Sequence, residues 1–147
     1  RKVWLKSGGY IVFDKTEALT VIDVNTGKFT GGSNLEETVH KTNMEAAVEI
    51  ARQVRLRDIG GIIIIDFIDM HDPGHQQMVV ETLKNELKKD RTKTTVVGMT
   101  GLGLIEMTRK KIKQELSTDF MVTCPYCNGT GRICCNNDLA GGCTPTA

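Results

Sequence analysis

Gly60-Gly61-Ile62-Ile63-Ile64-Ile65-Asp66-Phe67 decides the fold. Four consecutive β-branched residues favour extended backbone. Apolar character without alternation predicts a central strand covered on both faces. Upstream, between about Leu35 and Arg57, apolar residues fall at 35, 39, 46, 47, 50 and 54. That spacing predicts a helix with one buried stripe. Ser33 or Asn34 can cap it, and Glu36 and Glu37 sit in its first turn, where the helix dipole favours acid. Downstream, Asp72-Pro73 opens a second helix that turns Val79, Val80, Leu83 and Leu87 inward and ends near Asp90. Thr94 to Met99 and Leu104 to Thr108 read as further strands, and Arg109 to Leu116 as a short basic helix. At the amino-terminal end, Tyr10–Phe13 and Leu19–Val24 flank the turn Asp14–Glu17, the pattern of a hairpin. Strands interleaved with helices, begun by a hairpin, predict an α/β fold with a mixed β-sheet and flanking helices.

The length of 147 residues suits one domain with a small appendage. With 39% hydrophobic and 25% charged residues, a modest core is expected and intrinsic disorder is excluded. Nineteen basic against eighteen acidic residues exclude a globally basic nucleic-acid binder and leave room for a local patch. The longest strictly aliphatic run, Ile62 to Ile65, is too short to span a bilayer. No secretory signal is recognisable, and a start at Arg1 predicts a segment of something longer. All the cysteines lie between Cys124 and Cys143, where the composition changes to Cys, Gly, Asn and Pro. The expected organisation is therefore a body over residues 1–121, a Cys-x-x-Cys element over 122–133 and an irregular tail over 134–147.

Three constellations can carry chemistry. Asp23 closes an apolar strand and is followed by Asn25-Thr26-Gly27, and Asp66 closes the isoleucine strand. A carboxylate at a buried strand end is costly unless paired or bound to a cation. Two such ends side by side would suit Mg²⁺, which takes one or two carboxylates and keeps waters for a substrate phosphate. The competing reading is that each Asp caps a turn or helix. Asp69, three residues on, falls off the Asp66 face if the strand continues. Cys124-Pro125-Tyr126-Cys127, followed by Gly129 and Gly131, has the spacing of a zinc knuckle. It supplies two ligands of four, so the others come from Cys134 and Cys135 or from another chain, and a redox dithiol is the lesser alternative. Cys143 has no regular spacing. Lys28, Arg109, Lys110 and Lys111 can neutralise phosphates, against the alternative of a solvated face. His40, His71 and His75 show no ligand spacing and read as surface residues.

Several long motifs together resemble the catalytic core of the ribonuclease E and ribonuclease G family. They are Trp4-Leu5 with Gly8-Gly9-Tyr10, the run from Thr16 to Gly27 with its Asp23-Val24-Asn25-Thr26-Gly27, and Arg52 to Arg57. Gly60 to Met70, Leu102 to Lys110 and the Cys124/Cys127 knuckle complete the set, which extends from Arg1 to about Ile133. The resemblance implies a deoxyribonuclease-I-like catalytic subdomain followed by a zinc-link. It implies that Asp23 and Asp66 hold a catalytic Mg²⁺ with Asn25 assisting, and that single-stranded RNA is hydrolysed to 5′-phosphate and 3′-hydroxyl ends. It further implies that Cys124 and Cys127 share one Zn²⁺ with the same pair of a second protomer. The outcome would be a dimer, or a tetramer in the full-length family. The implied setting is ribosomal and transfer RNA processing and messenger RNA decay, in the bacterial cytoplasm or the plastid stroma. The family's OB-type RNA-binding domain, its sensor of the RNA 5′ end and its small dimerisation domain have no counterpart in these residues. The alternative functions are a truncated, non-catalytic RNA-binding or zinc-mediated oligomerisation fragment, and a phosphoesterase with another substrate.

Overall fold

In the computed structural model, residues 1–27, 35–112 and 122–131 are described. The isoleucine run forms β4 (Gly61–Asp66), flanked by β3 (Leu19–Asn25) on one side and β6 (Leu104–Arg109) on the other. β3 and β4 are parallel, joined through helix α1 (Leu35–Leu56). The hairpin expected at the start is β2 (Tyr10–Lys15) with β3, and β1 (Lys2–Trp4) adds an edge to it. After β4 come helix α2 (Pro73–Leu87), β5 (Thr94–Met99) and β6. Among the described residues the strands form one mixed sheet of order β1-β2-β3-β4-β6-β5. α2 begins as its sequence requires: Asp72 caps it by accepting the Gly74 N–H at 2.7 Å, with Pro73 in the first turn.

Register sorts every strand residue onto one of two faces. Ile11 lies opposite Val24, Ile22 opposite Ile65, and Ile65 opposite Ile105. All of these are buried, and they merge with Ala46, Ile50 and Val54 of α1 and Val79 and Leu83 of α2 into one core. Both helices therefore pack on this face. The opposite face carries no helix among the described residues. This corrects the two-sided cover expected for the isoleucine strand. Ile63 and Ile65 are fully buried, but Ile62 is 49% exposed and Ile64 half-buried. Among the described residues the strand is central, yet capped by helices on one side only.

The helix expected at Arg109 to Leu116 is also corrected where it is described. Arg109 is the last residue of β6, on the same inward parity as Ile105 and Met107. Lys110 to Ile112 continue without helix, and the rest of that stretch lies outside the described residues, as do Ser33 and Asn34. Arg109 is not a phosphate-facing residue. Its side chain is 3% exposed. Nε donates to Asp90 Oδ2 at 2.8 Å, and Nη1 donates to Asp58 Oδ1 at 2.8 Å and to the Ile59 carbonyl at 3.1 Å. Burial alone would raise the Asp90 pKa. The Arg109 hydrogen bond, the Thr92 N–H and the charges of Arg109 and Arg55 outweigh it and hold that carboxyl below its ordinary range. Asp58, with φ 53°, ends α1 in a left-handed conformation normally left to Gly or Asn. Its bond to Arg109 ties that helix end to the sheet.

Candidate metal centre on the open sheet face

Asp23 and Asp66 are direct neighbours in the parallel β3–β4 register. Both point away from the helices, because Ile22, Val24 and Ile65 beside them point into the core. The side chain of Asn25 shares their face and donates from Nδ2 to Asp23 Oδ2 at 2.8 Å. Asn25 therefore fixes the rotamer of Asp23 and leaves the other carboxylate oxygen clear of that bond. Two close approaches set the loop beyond. A Cβ on Gly9 would stand 2.7 Å from the Asn25 carbonyl, and a Cβ on Gly27, at φ +68°, would strike the Gly8 carbonyl. The Gly8-Gly9 turn and the Asn25-Thr26-Gly27 turn can pack against each other only because Gly9 and Gly27 lack side chains.

β4 ends at Asp66, so the chain turns and brings Asp69 back beside the cluster. Asp23, Asn25, Asp66 and Asp69 line one shallow cleft of about 280 Å³. The expectation that Asp69 leaves the Asp66 face assumed a longer strand and is corrected here. Burial, then the charge of Asp23, then that of Asp69 push the Asp66 carboxyl above its ordinary pKa. Crowding of like charges at a partly desolvated strand end accounts for that direction. Among the described residues, no group of three or more His, Cys, Asp or Glu side chains is arranged to hold an ion. Two carboxylates with one open side suit a hard cation that completes its shell with water and phosphate oxygens.

Asn43 was not singled out from sequence, and it shapes this site. It is fully buried in α1, donates from Nδ2 to the Ile68 carbonyl at 2.8 Å and accepts the Ile68 N–H at Oδ1 at 3.1 Å. This two-point clasp holds the segment that carries Asp69. The signal was present, since position 43 falls on the apolar stripe between Val39 and Ala46/Ala47. A polar residue there has to find a buried partner.

The basic residues divide. Lys110 and Lys111 are exposed, but they follow the end of β6 that pairs with Gly61, whereas Asp66 pairs with Leu104 at the other end. That is a strand length away, roughly 17 Å. Lys28 lies outside the described residues. His71 is exposed, as expected, but His40 and His75 are half-buried. His40 of α1 and His75 of α2 stack with ring centroids 4.0 Å apart, beside a cavity of about 670 Å³ also lined by Glu36, His71 and Asp72.

In the segment 122–131, Cys124 and Cys127 are free thiols. The Asn128 N–H donates to the Cys124 carbonyl at 2.9 Å, and the Gly131 N–H donates to Cys127 Sγ at 3.4 Å. Positive φ at Asn128 (47°) and Gly129 (83°) curls the backbone round the sulfurs. The N–H groups of Gly131 and Gly129 and the Cys124 side chain lower the Cys127 pKa and favour its thiolate. Cys134, Cys135 and Cys143 lie outside the described residues.

The fold and this cluster define an α/β protein with an acidic centre on the face of a mixed sheet opposite α1 and α2. The model of the ribonuclease E/G family matches residues 1–112. Ribonuclease G of Escherichia coli K12 is 52% identical over 133 residues, 90% of this chain and 27% of that protein. Ribonuclease G of Haemophilus influenzae is also 52% identical over 133 residues, again 90% of this chain and 27% of that protein. Ribonuclease E of Escherichia coli K12 is 46% identical over 140 residues, 95% of this chain and 13% of that protein. The chain belongs to the ribonuclease E/G family, and it spans about a quarter of the length of the ribonuclease G relatives.

Proposed function

We propose that this chain is the catalytic part of a Mg²⁺-dependent endoribonuclease that hydrolyses phosphodiester bonds in single-stranded RNA. The observation that carries the reading is the side-by-side placement of Asp23 and Asp66, with Asn25 bonded to Asp23. Asp23 and Asp66 would hold the Mg²⁺, which when bound supplies Lewis-acid polarisation of the phosphate and favours deprotonation of water. Asn25 keeps Asp23 in one rotamer, so the donor set is preorganised. Asp69 adds negative charge to the cleft, which favours a cation over a bare anionic substrate. Among the described residues no helix covers this face, which leaves room for an extended polynucleotide, where a deep pocket would admit only a small ester. No helix among the described residues is long and apolar enough to cross a membrane. The bacterial relatives support a place in the bacterial cytoplasm, with the plastid stroma as the other compartment for this chemistry. RNA processing and turnover are the corresponding roles.

The second part of the proposal concerns Zn²⁺. Cys124 and Cys127 would provide half of a tetrahedral site, completed by the same pair of a second protomer to give a homodimer. The support is a knuckle whose backbone N–H groups already favour the Cys127 thiolate. The deciding assay for the whole reading is cleavage of single-stranded RNA by the purified chain with and without Mg²⁺, alongside single-stranded DNA and small phosphate esters. Mg²⁺-dependent cleavage of RNA is expected. Turnover of small esters with RNA untouched would overturn it.

A further inference from the structure

The sheet face opposite α1 and α2 carries a second feature in the same register as the carboxylates. Trp4 of β1 pairs with Tyr10 of β2, and Tyr10 pairs with Asn25 of β3. The three side chains thus form one row across the face, ending at the residue that orients Asp23. Trp4 and Tyr10 meet edge to face with centroids 5.3 Å apart. Lys2, two residues from Trp4 on the same parity, places Nζ 3.6 Å from the Tyr10 ring centroid and 4.3 Å from that of Trp4. Trp4 is 65% exposed. Together with Tyr10 it presents an aromatic surface to solvent. The cation contacts both rings and favours this arrangement of them.

We propose that Lys2, Trp4 and Tyr10 form a stacking platform for a nucleobase of single-stranded RNA, placed to hold a nucleotide that neighbours the phosphate at Asp23 and Asp66. The inference deepens the proposed function and rests on it. Strands lie about 4.8 Å apart, so the Trp4 backbone stands about 10 Å from that of Asn25, within reach of neighbouring nucleotides. The chemistry fits this occupant on three counts. An aromatic face accepts any base. The Lys2 ammonium beside it can neutralise a phosphate. The row leads into an acidic cleft that by itself repels a polyanion, so affinity has to come from outside the cleft. An apolar protein surface would gain nothing from a lysine placed over the rings.

Trp4 is the only tryptophan of the chain, so its fluorescence reports on the platform alone. The full chain is titrated in EDTA with fluorescein-labelled uridine and adenosine oligoribonucleotides, with anisotropy and tryptophan emission recorded in separate samples. Quenching of Trp4 should saturate together with the anisotropy. Trp4→Ala and Tyr10→Ala should each weaken binding about tenfold, while Trp4→Phe stays close to the parent protein. Lys2→Ala should lower the salt slope by about one phosphate contact. With Mg²⁺ present, Trp4→Ala should raise KM and leave kcat nearly unchanged. Far-ultraviolet circular dichroism checks that each variant is folded, as the exposure of Trp4 leads one to expect. Anisotropy that rises with Trp4 emission unchanged, Trp4→Ala binding like the parent, or no RNA binding at all would each overturn the platform. Saturable Trp4 quenching without any Mg²⁺-dependent cleavage would instead leave the platform standing and remove the hydrolase reading.

Discussion

Replacing Arg109 by Met separates a structural cation from a substrate-binding one. The guanidinium is buried and meets Asp90, Asp58 and the Ile59 carbonyl at 2.8, 2.8 and 3.1 Å. Met fills much of the volume of the stem but leaves Asp90, whose side chain is 5% exposed, without its cation. Breaking a buried ion pair from one side costs about 3–5 kcal/mol. With a urea m-value of about 1–3 kcal/mol/M, the unfolding midpoint should fall by about 2 M. The pH dependence should change as well. The folded pKa of Asp90 lies below its unfolded value, so its stabilisation is complete above the unfolded pKa and is lost as pH falls through the folded one. The parent protein should therefore lose urea resistance below about pH 4. Arg109→Met should lose that part of the acid sensitivity, because the unpaired carboxyl is then easier to protonate folded than unfolded. Adding Asp90→Asn should restore part of the midpoint. Oligonucleotide affinity of the folded Arg109→Met protein should match the parent. A parental midpoint combined with weakened RNA binding would refute the structural role and return Arg109 to the phosphate-binding set.

Asp23→Asn and Asp66→Asn should each abolish Mg²⁺-dependent RNA cleavage in a gel assay. Each should also raise thermal stability, by up to about 1 kcal/mol, since a like-charge cross-strand pair is removed; unchanged cleavage in either would dismiss the metal assignment. Asn43→Ala strips both backbone partners from Ile68 and should cost about 2–4 kcal/mol by chemical denaturation. Its cleavage rate should fall more than that of a core truncation of equal stability, such as Val79→Ala. Under a shared zinc, elemental analysis and light scattering should find half an ion per chain in a dimer, and Cys127→Ser should release both the metal and the partner. One ion per chain in a monomer would assign the missing ligands to Cys134 and Cys135.

Much of this was legible before any coordinates. The 3.6-residue stripe of α1 and the Asp72-Pro73 start of α2 are local signals, and they folded as read. So did the pairing of two Asp-terminated strands in one sheet, because each strand end is marked by its own apolar run. What escaped depended on partners distant in sequence. Arg109 belongs to the Ile105, Met107, Arg109 alternation, but its basic neighbours Lys110 and Lys111 suggested a solvated helix. Asp58 and Asp90, which decide its fate, lie 51 and 19 residues away. The isoleucine run fits a strand covered on both faces equally well as one covered on a single face. Composition does not say which faces receive helices, and the helices here share one side. Asp69 was weighed against a strand that continues past Asp66; β4 ends there, so the spacing argument no longer applies.

The position of the carboxylates at the middle of the sheet sets how this centre can be governed. Asp23 and Asp66 are anchored on adjacent strands that are each hydrogen-bonded on both edges, to β2 and β6 as well as to each other. Slipping either strand by one residue would drive a charge into the core and pull an isoleucine out. Pairing on both edges opposes fraying, so the amides of Asp23 and Asp66 should exchange more slowly than those of the edge strand β1. Control of such a centre therefore acts on what reaches it rather than on its shape, and any switch in this protein has to be built at the rim.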